Sequence, residues 1–391
     1  MPGGELDDVF AGIEASVPDG LADHLRTVSL IDHHVHGTFT EDIDRATFEF
    51  SINEGSNDPV PPWMTNFDSP LGLSIRRWCA PLLGLPARTD AETYWKRRCE
   101  FGADELAATM LRAAGVSRWI VDTGFKGDLL TSHHRLAELA AGRSSEIVRL
   151  ERVAEDLLDS GTSPQDFPDA MRAALAAAAA DPTVVGTKTI VAYRTGFDID
   201  WTRPGDADVV ARAGALAARQ GPSRIDDPTL IAFGVHEAAA HGLPLQLHVG
   251  FGDRDLDLHR CDPLLLLPLL RIMPPVPVLL LHCYPFHRQA GYLAQAFDHV
   301  NFDVGLSINY LGTRSTGLVA EALEVAPFAK QLYSSDAFGP PELHVLGSVL
   351  WRRAMGVVLG DWIRSGDCAE ADAIRIVDMI GTTNAQRVYG L

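Results

Sequence analysis

Two runs of the sequence, LPLQLHVG (residues 243–250) and VPVLLLHC (residues 276–283), are almost continuously apolar and then reach a histidine. Short apolar runs of this kind are typical of parallel strands buried on both faces. Helical patterns separate these runs from six others: VSLIDHHVH (28–36), VSRWIVDTGF (116–125), EIVRLERV (146–153), TVVGTKTIVAYR (183–194), HVNFDVGLS (299–307) and KQLYSSDA (330–337). Eight strands, each followed by a helix, predict an α/β fold of the (β/α)8 or TIM-barrel type.

Two segments interrupt this alternation. The stretch 38–102, after the first strand, is rich in Pro, Asn, Ser and Trp, and we expect it to be an irregular lid or substrate wall. The stretch 193–226 adds a helical segment after the fourth strand. We predict a single barrel domain over 1–391, with 38–102 as its insertion and C-terminal helices over 361–391.

Composition narrows the classes of partner. The 391 residues are 46% hydrophobic, and 33 basic against 52 acidic residues give a formal net charge of −19. No basic run exists, which argues against nucleic acid or an anionic membrane surface as a partner. The most apolar stretch, 264–281, is broken by Arg271 and four prolines and therefore predicts a helix, a turn and a strand rather than a membrane span.

The cysteine pattern and the N-terminal sequence indicate the cellular compartment in which we expect the protein. Five cysteines are scattered without a CxxC pair, which indicates a reduced environment. The N-terminal MPGGELDDVF lacks the basic and then apolar pattern of a secretory signal. We therefore expect a cytoplasmic protein that acts on a small molecule. A homo-oligomer is also conceivable, in which 38–102 reaches the site of a neighbouring copy.

Polar side chains fall where the predicted strands end. In a barrel, chemistry gathers at the C-terminal ends of the strands, and an ionisable group there is costly unless it is paired or bound to a metal. The residues in question, from strands one, four, five, six and eight, are His34, His36, Lys188, His248, His282 and Asp336.

The spacing of His34 and His36 adds to the pattern. Residues two apart in a strand share a face, so both rings can reach one ion, whereas His33 is expected to face the outer helices. A lone HxH, or a single strand histidine, is more often a hydrogen-bonded core group. The ordered set with one carboxylate instead favours a divalent metal, zinc first with manganese or iron as alternatives, at one or two ions.

The motifs resemble the amidohydrolase superfamily, and in particular the branch found as the N-terminal part of nodulin–glutamine synthetase fusion proteins. DHHVHG (32–37) resembles the family's first-strand D-x-H-x-H. Longer stretches resemble that branch: GTKTIVAYRTG (186–196), LHVGFGDRDLDL (247–258), LLHCYPFHRQAGYLA (280–294), VNFDVGLS (300–307) and LYSSDAFGPPE (332–342).

The resemblance implies hydrolysis of an amide or similar bond by metal-activated water. Asp336 would be the general base and would also touch the metal. His282 would be either a metal ligand or the group that polarises the substrate carbonyl. Lys188 occupies a position that some members carboxylate to bridge two metals; the alternative is an unmodified lysine that binds substrate or water.

Substrate recognition is assigned to the loops after strands four and five. Arg194 and Arg254 suit bidentate capture of a carboxylate, and we place Tyr193 and Asp253 with them. The alternative role for the two arginines is a salt bridge to nearby acids. Two cationic forks beside an amide-cleaving metal fit an N-acyl amino acid or a γ-glutamyl amide.

Two competing functions remain. Relatives with a similar ligand set decarboxylate aromatic or unsaturated acids without net hydrolysis. A non-catalytic regulatory barrel is the other possibility, and the presence of every ligand-type residue counts against it.

Overall fold

The computed structural model describes residues 6–391. Its parallel sheet contains seven strands, hydrogen-bonded in chain order, and it curls into a TIM-barrel-like α/β fold. The strands are β1 Leu30–Val35, β2 Val116–Asp122, β3 Arg143–Arg149, β4 Val184–Thr189, β5 Leu245–Val249, β6 Val278–His282 and β7 Val300–Phe302. The predicted fold class is confirmed, with seven regular strands in place of eight.

Helices surround the sheet. They are α1 Asp19–Thr27, α2 Arg45–Ser51, α3 Pro70–Leu82, α4 Ala91–Arg98, α5 Ala103–Ala113, α6 His133–Ala140, α7 Leu150–Asp159, α8 Phe167–Ala180, α9 Asp206–Ala217, α10 Pro228–Ala240, α11 Leu267–Ile272, α12 His287–Ala296, α13 Gly305–Leu311, α14 Ser315–Ala322, α15 Glu342–Ser365, α16 Glu370–Asp378 and α17 Asn384–Tyr389. Helix α9 is the helix expected after the fourth strand. Within 6–391, no helix combines the length and apolarity that a bilayer span requires.

The predicted eighth strand (330–337) is an irregular segment. It bonds to β7 through the Leu332 N–H and the Phe302 carbonyl (3.1 Å), and to β1 through the Asp336 N–H and the His34 carbonyl (3.1 Å). Asp336 has a φ of 48°, which a regular strand does not accommodate. The segment therefore bridges the two ends of the sheet without continuing its ladder.

The barrel interior is filled by a small apolar cluster of its own. Side chains from β1, β2, β3, β6 and the eighth segment meet the last helix, α17, in this cluster, whose members are Ile31, Ile120, Ile147, Leu279, Leu281, Leu332, Ala385, Val388 and Tyr389. The opposite faces of the strands join the larger core formed with the outer helices. The C-terminal helix α17 therefore contributes side chains to the apolar interior of the barrel.

The 38–102 stretch is more ordered than expected, because it contains α2, α3 and α4. Each begins at a side-chain cap that the sequence contains: Asp44, Ser69 and Asp90 each accept a bond from a backbone N–H in the first turn. A buried ion pair ties the stretch to α15, since Arg98 Nε donates to Glu342 Oε1 at 2.7 Å.

Candidate metal centre and catalytic cavity

The predicted site residues converge at the C-terminal ends of the strands. His34 lies near the end of β1 and His36 follows it, His248 lies late in β5, and His282 ends β6. Lys188 lies in β4, and Asp336 lies in the eighth segment. All six side chains are buried.

Asp336 lies among three imidazoles. Its Oδ1 is 3.1 Å from His34 Nε2 and 3.6 Å from His36 Nε2, and its Oδ2 is 3.4 Å from His282 Nε2. His248 adjoins this group, with its ring centroid 4.7 Å from that of His282. Ligand atoms bound about 2.0–2.1 Å from one ion lie roughly 3.0–3.4 Å apart. The observed separations are close to that spacing.

Hydrogen bonds fix which ring nitrogens are free. His34 Nδ1 lies 2.8 Å from Gln246 Oε1, and His36 Nδ1 lies 2.9 Å from the Asp122 carbonyl oxygen. Because these oxygens only accept, both Nδ1 atoms carry the proton. The orientation of Gln246 is fixed in turn, since its Nε2 donates to the His33 carbonyl at 3.0 Å. The Nε2 atoms of His34 and His36 therefore present lone pairs to the centre.

Burial keeps these imidazoles neutral. It lowers the pKa of His36 to about 3 and places the pKa values of His34, His248 and His282 well below the usual range. Burial raises the pKa of Asp336 to about 6. Neutral histidines with exposed lone pairs are the form in which this residue binds metals.

The donor set fits a divalent ion. Three of its atoms, His248 Nε2, His282 Nε2 and Asp336 Oδ1, are buried and have no hydrogen-bond partner within residues 6–391, and such groups are costly unless something satisfies them. Two overlapping groups could hold an ion: His34, His282 and Asp336, and His34, His36 and Asp122. The second group contains Asp122, which the sequence analysis did not select.

Lys188 lies between the two groups. Its Nζ is 2.8 Å from His34 Nε2 and 3.5 Å from Asp122 Oδ2. Burial lowers the pKa of Lys188. Arg149 neutralises Asp122 from the other side, at 2.5 Å. Asp122 and Arg149 end β2 and β3, so the strand-end rule that selected the histidines could also have found them.

A cavity of about 330 Å³ opens above this centre. Its wall includes residues of the 38–102 stretch, which are Phe50, Asn53, Glu54, Ser56 and Asn57. Cationic groups also line it, namely Lys126, Arg149, Lys188, Arg194 and Arg224, together with the acids Glu54, Asp253, Asp255 and Asp336. Lys126, Glu54 and Arg224 lie in loops without a strand-end signal, and only the tertiary structure brings them to the cavity.

The four predicted substrate-binding residues divide into two groups. Tyr193, Arg194 and Asp253 line the cavity, and the Tyr193 ring lies 4.6 Å from the ring of His248. Arg254 is not among the lining residues. It is exposed and forms an ion pair with Asp58 of the 38–102 stretch.

His33 lies on the inner face of the barrel, not toward the outer helices as expected. Its Nδ1 is 3.0 Å from the Tyr389 hydroxyl, and its Nε2 is 2.9 Å from Asp303 Oδ2. The pairing of β1 with β2 is irregular between Asp32 and Val35, so strict alternation does not hold there. Gln246 Nε2 also donates to the Tyr389 hydroxyl, at 2.8 Å. Helix α17 thus connects to His34 through Gln246.

Comparison with known proteins identifies the family. A family model described as "Amidohydrolase" matches residues 130–391. The chain belongs to the amidohydrolase family. This family member is 31% identical over 274 residues to Protein fluG of Emericella nidulans, an alignment that covers 66% of this chain and 32% of that protein. The chain thus spans about a third of the length of this curated relative.

Solved structures agree with this membership. A proposed metal-dependent hydrolase from Lactobacillus casei superposes with a TM-score of 0.77 at 25% identity, over 95% of this chain and 97% of that chain. A uronate isomerase from Bacillus halodurans shares the fold, with a TM-score of 0.63 at 16% identity and 95% coverage of both chains. Family, fold and donor set together indicate a metal-dependent enzyme.

Proposed function

We propose that this member of the amidohydrolase family is a metal-dependent hydrolase that cleaves the amide bond of a small carboxylate-bearing substrate, with a γ-glutamyl amide as the substrate class. The observation that carries the proposal is the position of the histidine and aspartate cluster at one end of the cavity. Neutral imidazoles and the Asp336 carboxylate meet at the floor of a cavity whose walls hold both cationic and anionic side chains.

In this proposal the metal is held by His34, His36, His248, His282 and Asp336, with zinc first and manganese or iron as alternatives. When bound, a divalent ion supplies a Lewis acid that lowers the pKa of a water molecule. Lys188 either joins the ligands as a carbamate that bridges two ions or remains an amine that binds substrate or water. Its contacts with His34 and Asp122 are compatible with both.

Asp336 is proposed as the general base. Its carboxylate accepts a proton from the attacking water and returns it to the amide nitrogen as the carbon–nitrogen bond breaks and the new carbon–oxygen bond forms. The carboxylic acid and the amine are the products. The position of Asp336 supports this role, because its carboxylate lies among the rings of the proposed metal ligands and also lines the cavity.

His282 is proposed to orient the substrate carbonyl if it does not serve as a ligand. Neither of its ring nitrogens has a hydrogen-bond partner within residues 6–391. A protonated ring nitrogen there could donate to the carbonyl oxygen and stabilise the charge that develops on it.

The charges of the wall favour a zwitterionic substrate. Arg194 uses Nη2 to bind Glu155 at 3.1 Å, while its buried Nε has no partner among the described residues. This free donor suits a substrate carboxylate. Asp253 supplies negative charge that suits an ammonium group. Burial raises the pKa of Glu54 to about 8, so its carboxyl group carries a negative charge near pH 7 only when a cation binds beside it. A γ-glutamyl group carries both charges on one carbon, whereas an N-acyl amino acid carries only the carboxylate.

A substrate comparison tests the proposal. The full chain, loaded separately with zinc, manganese or iron, is given γ-glutamyl-p-nitroanilide, acetyl-p-nitroanilide and an N-acetyl amino acid. We expect p-nitroaniline release from the γ-glutamyl substrate, with kcat/KM at least about tenfold above that for the acetyl compound, since one charge-assisted hydrogen bond contributes that much. Aromatic and unsaturated acids are assayed in parallel. Release of carbon dioxide from one of them, without amine release from any amide, would replace the hydrolase by a decarboxylase.

A further inference from the structure

A second cavity lies away from the catalytic one, between the 38–102 stretch and the C-terminal half of the chain. It measures about 590 Å³ and is bounded by α3, the start of α14 and α15. Its lining contains four arginines and four hydroxyl residues, which are Arg76, Arg77, Arg88, Arg353, Ser74, Thr313, Ser315 and Thr316. None of its described lining residues is an aspartate or glutamate.

This concentration of positive charge is unusual for this chain. The sequence has 52 acidic residues against 33 basic ones, so a random set of lining residues would include acids. Arg77 forms an ion pair with Asp7 at 2.5 Å. In residues 6–391, by contrast, Arg76, Arg88 and Arg353 have no carboxylate within 4.0 Å. Three of the four guanidinium groups around the cavity therefore have no direct ion pair with a described carboxylate.

Local geometry shows that two of the arginines, Arg77 and Arg353, are held in place. Arg353 Nη1 donates to the Val9 carbonyl at 2.7 Å, and both Arg77 and Arg353 lie over the Trp78 ring, at 4.2 and 5.7 Å. The Nε of Arg76 is buried without a partner among the described residues. Fixed guanidinium groups with free donors lose little entropy when they bind an anion.

Arg88 adds backbone strain to the same place. Its φ is 66°, a left-handed conformation that residues other than glycine rarely adopt. Glycine would adopt this backbone freely, yet an exposed arginine that lines the cavity occupies the position. Burial lowers the pKa of Arg353, and Arg77 lowers it further, while Glu14 and Asp8 act in the opposite direction.

We propose that this cavity is a second ligand site, which binds a small organic phosphate through its four arginines and the hydroxyls at the start of α14. Planar guanidinium forks match phosphate oxygens in pairs. The volume exceeds that of the phosphate itself and falls in the range of small-molecule pockets. The apolar side chains of Leu73, Trp78 and Leu350 provide a surface for the organic part.

The probe for this site is inorganic phosphate, titrated calorimetrically into the metal-loaded full chain. We expect saturable binding with a Kd below about 1 mM. Succinate, tested in parallel, should bind at least about tenfold more weakly if the site selects tetrahedral phosphate over carboxylates. Equal binding of the two would reassign the site to dicarboxylates and overturn the phosphate assignment.

Two variants and a matched control locate the binding. Arg88→Gly removes one charge and its strain, so the fold should be retained while phosphate affinity falls about tenfold. Thr316→Glu places a carboxylate in the cavity within the first turn of α14, where a negative charge does not harm the helix, and should weaken phosphate binding by at least as much. Gly317→Glu is the matched control. It adds the same charge to the same turn at an exposed position, where an added Cβ would have no neighbouring heavy atom within 4 Å.

The control should keep phosphate affinity within about threefold of the unmodified protein, because solvent screens its charge. Absence of phosphate binding to the unmodified chain overturns the proposal. So does binding that neither Arg88→Gly nor Thr316→Glu weakens, which would place the anion at the metal centre instead. The outcome is independent of hydrolase activity.

Discussion

Asp336 and His282 both have left-handed backbones, with φ values of 48° and 69°. For residues with a Cβ, this conformation costs on the order of 1 kcal/mol or more each, and it persists only where the surroundings enforce it. The backbone N–H of His282 is held by Asp303 Oδ1 at 2.9 Å, and that of Asp336 by the His34 carbonyl at 3.1 Å. The fold thus holds strained backbone at the two residues proposed for the chemistry.

Replacement of Asp336 by asparagine keeps the size of the side chain and removes the base. We expect kcat for γ-glutamyl-p-nitroanilide to fall by at least about 100-fold, the usual range for loss of a general base. Asp257→Asn, the same change at an exposed position, serves as the control and should retain kcat. Elemental analysis and melting temperature accompany the kinetics. A near-normal kcat in folded, metal-loaded Asp336→Asn would place the base elsewhere.

Arg194 and Arg254 are both predicted to bind substrate from the sequence, but their surroundings differ. Arg194→Ala should raise KM for the γ-glutamyl substrate about tenfold, because it removes a cation from the cavity wall. Arg254→Ala should change KM by less than about twofold, since Arg254 is exposed and paired with Asp58. Steady-state kinetics of both variants decide the matter. A larger effect for Arg254 would mean that the Asp58 loop moves over the substrate.

At the scale of elements, α15 joins the site to the rest of the fold. It follows the eighth segment directly and is buried over most of its 24 residues. Near its start, Glu342 accepts bonds from Tyr94 and Arg98 of α4, which fixes the 38–102 stretch beside the barrel mouth. His344, two residues further along α15, is buried and has no hydrogen-bond partner among the described residues.

His344 should make the fold sensitive to acid. Burial lowers its pKa to about 3 from an ordinary value of 6.5. Between these two pH values His344 is therefore protonated in the unfolded chain and neutral in the folded chain. Stability is therefore retained above pH 6.5 and lost as the pH falls toward 3. Relative to the unmodified chain, His344→Leu should gain about 1.4 kcal/mol per pH unit below 6.5. Urea unfolding of both proteins from pH 7 to 5 measures the difference, and a constant difference would contradict the expectation.

At the scale of the whole molecule, the C-terminal helix α17 and the metal centre form one connected interior. The Tyr389 hydroxyl contacts Gln246 and His33, Gln246 fixes the proton of His34, and His33 contacts Asp303. Asp303 in turn holds the backbone of His282. Two proposed ligands on different strands are thus positioned by a residue near the end of the chain.

Tyr389→Phe removes only the hydroxyl from this network. We expect zinc affinity to fall about tenfold or more, as is usual when a group that orients a metal ligand is lost. Competition with a chelator measures the affinity, and the melting temperature of the metal-free protein monitors the fold. Tyr292→Phe, the same change at a side chain that is 51% exposed, is the control. Unchanged zinc affinity in Tyr389→Phe would show that the hydrogen bonds of the Tyr389 hydroxyl do not position the metal ligands.

The sequence by itself determined the barrel, because parallel strands that are buried on both faces are almost wholly apolar and can be recognised as such. A histidine at the end of such a strand interrupts the apolar pattern and is therefore easy to identify. The same pattern brought together His34, His36, His248, His282 and Asp336, since parallel strands present their C-terminal ends at one rim. The irregularity in β1 that turns His33 inward gave no such signal, because it depends on how β1 pairs with its neighbours.

Only the tertiary structure decided the rest of the cavity. Glu54, Lys126 and Arg224 come from loops, whose paths depend on packing against distant elements and not on local periodicity. The separation of Arg194 from Arg254 has the same cause: one lies against Glu155 in the wall, and the other meets Asp58 outside it. The apolar pattern of each strand is a local property of the sequence, whereas the partners of a loop side chain are fixed only when the whole molecule folds.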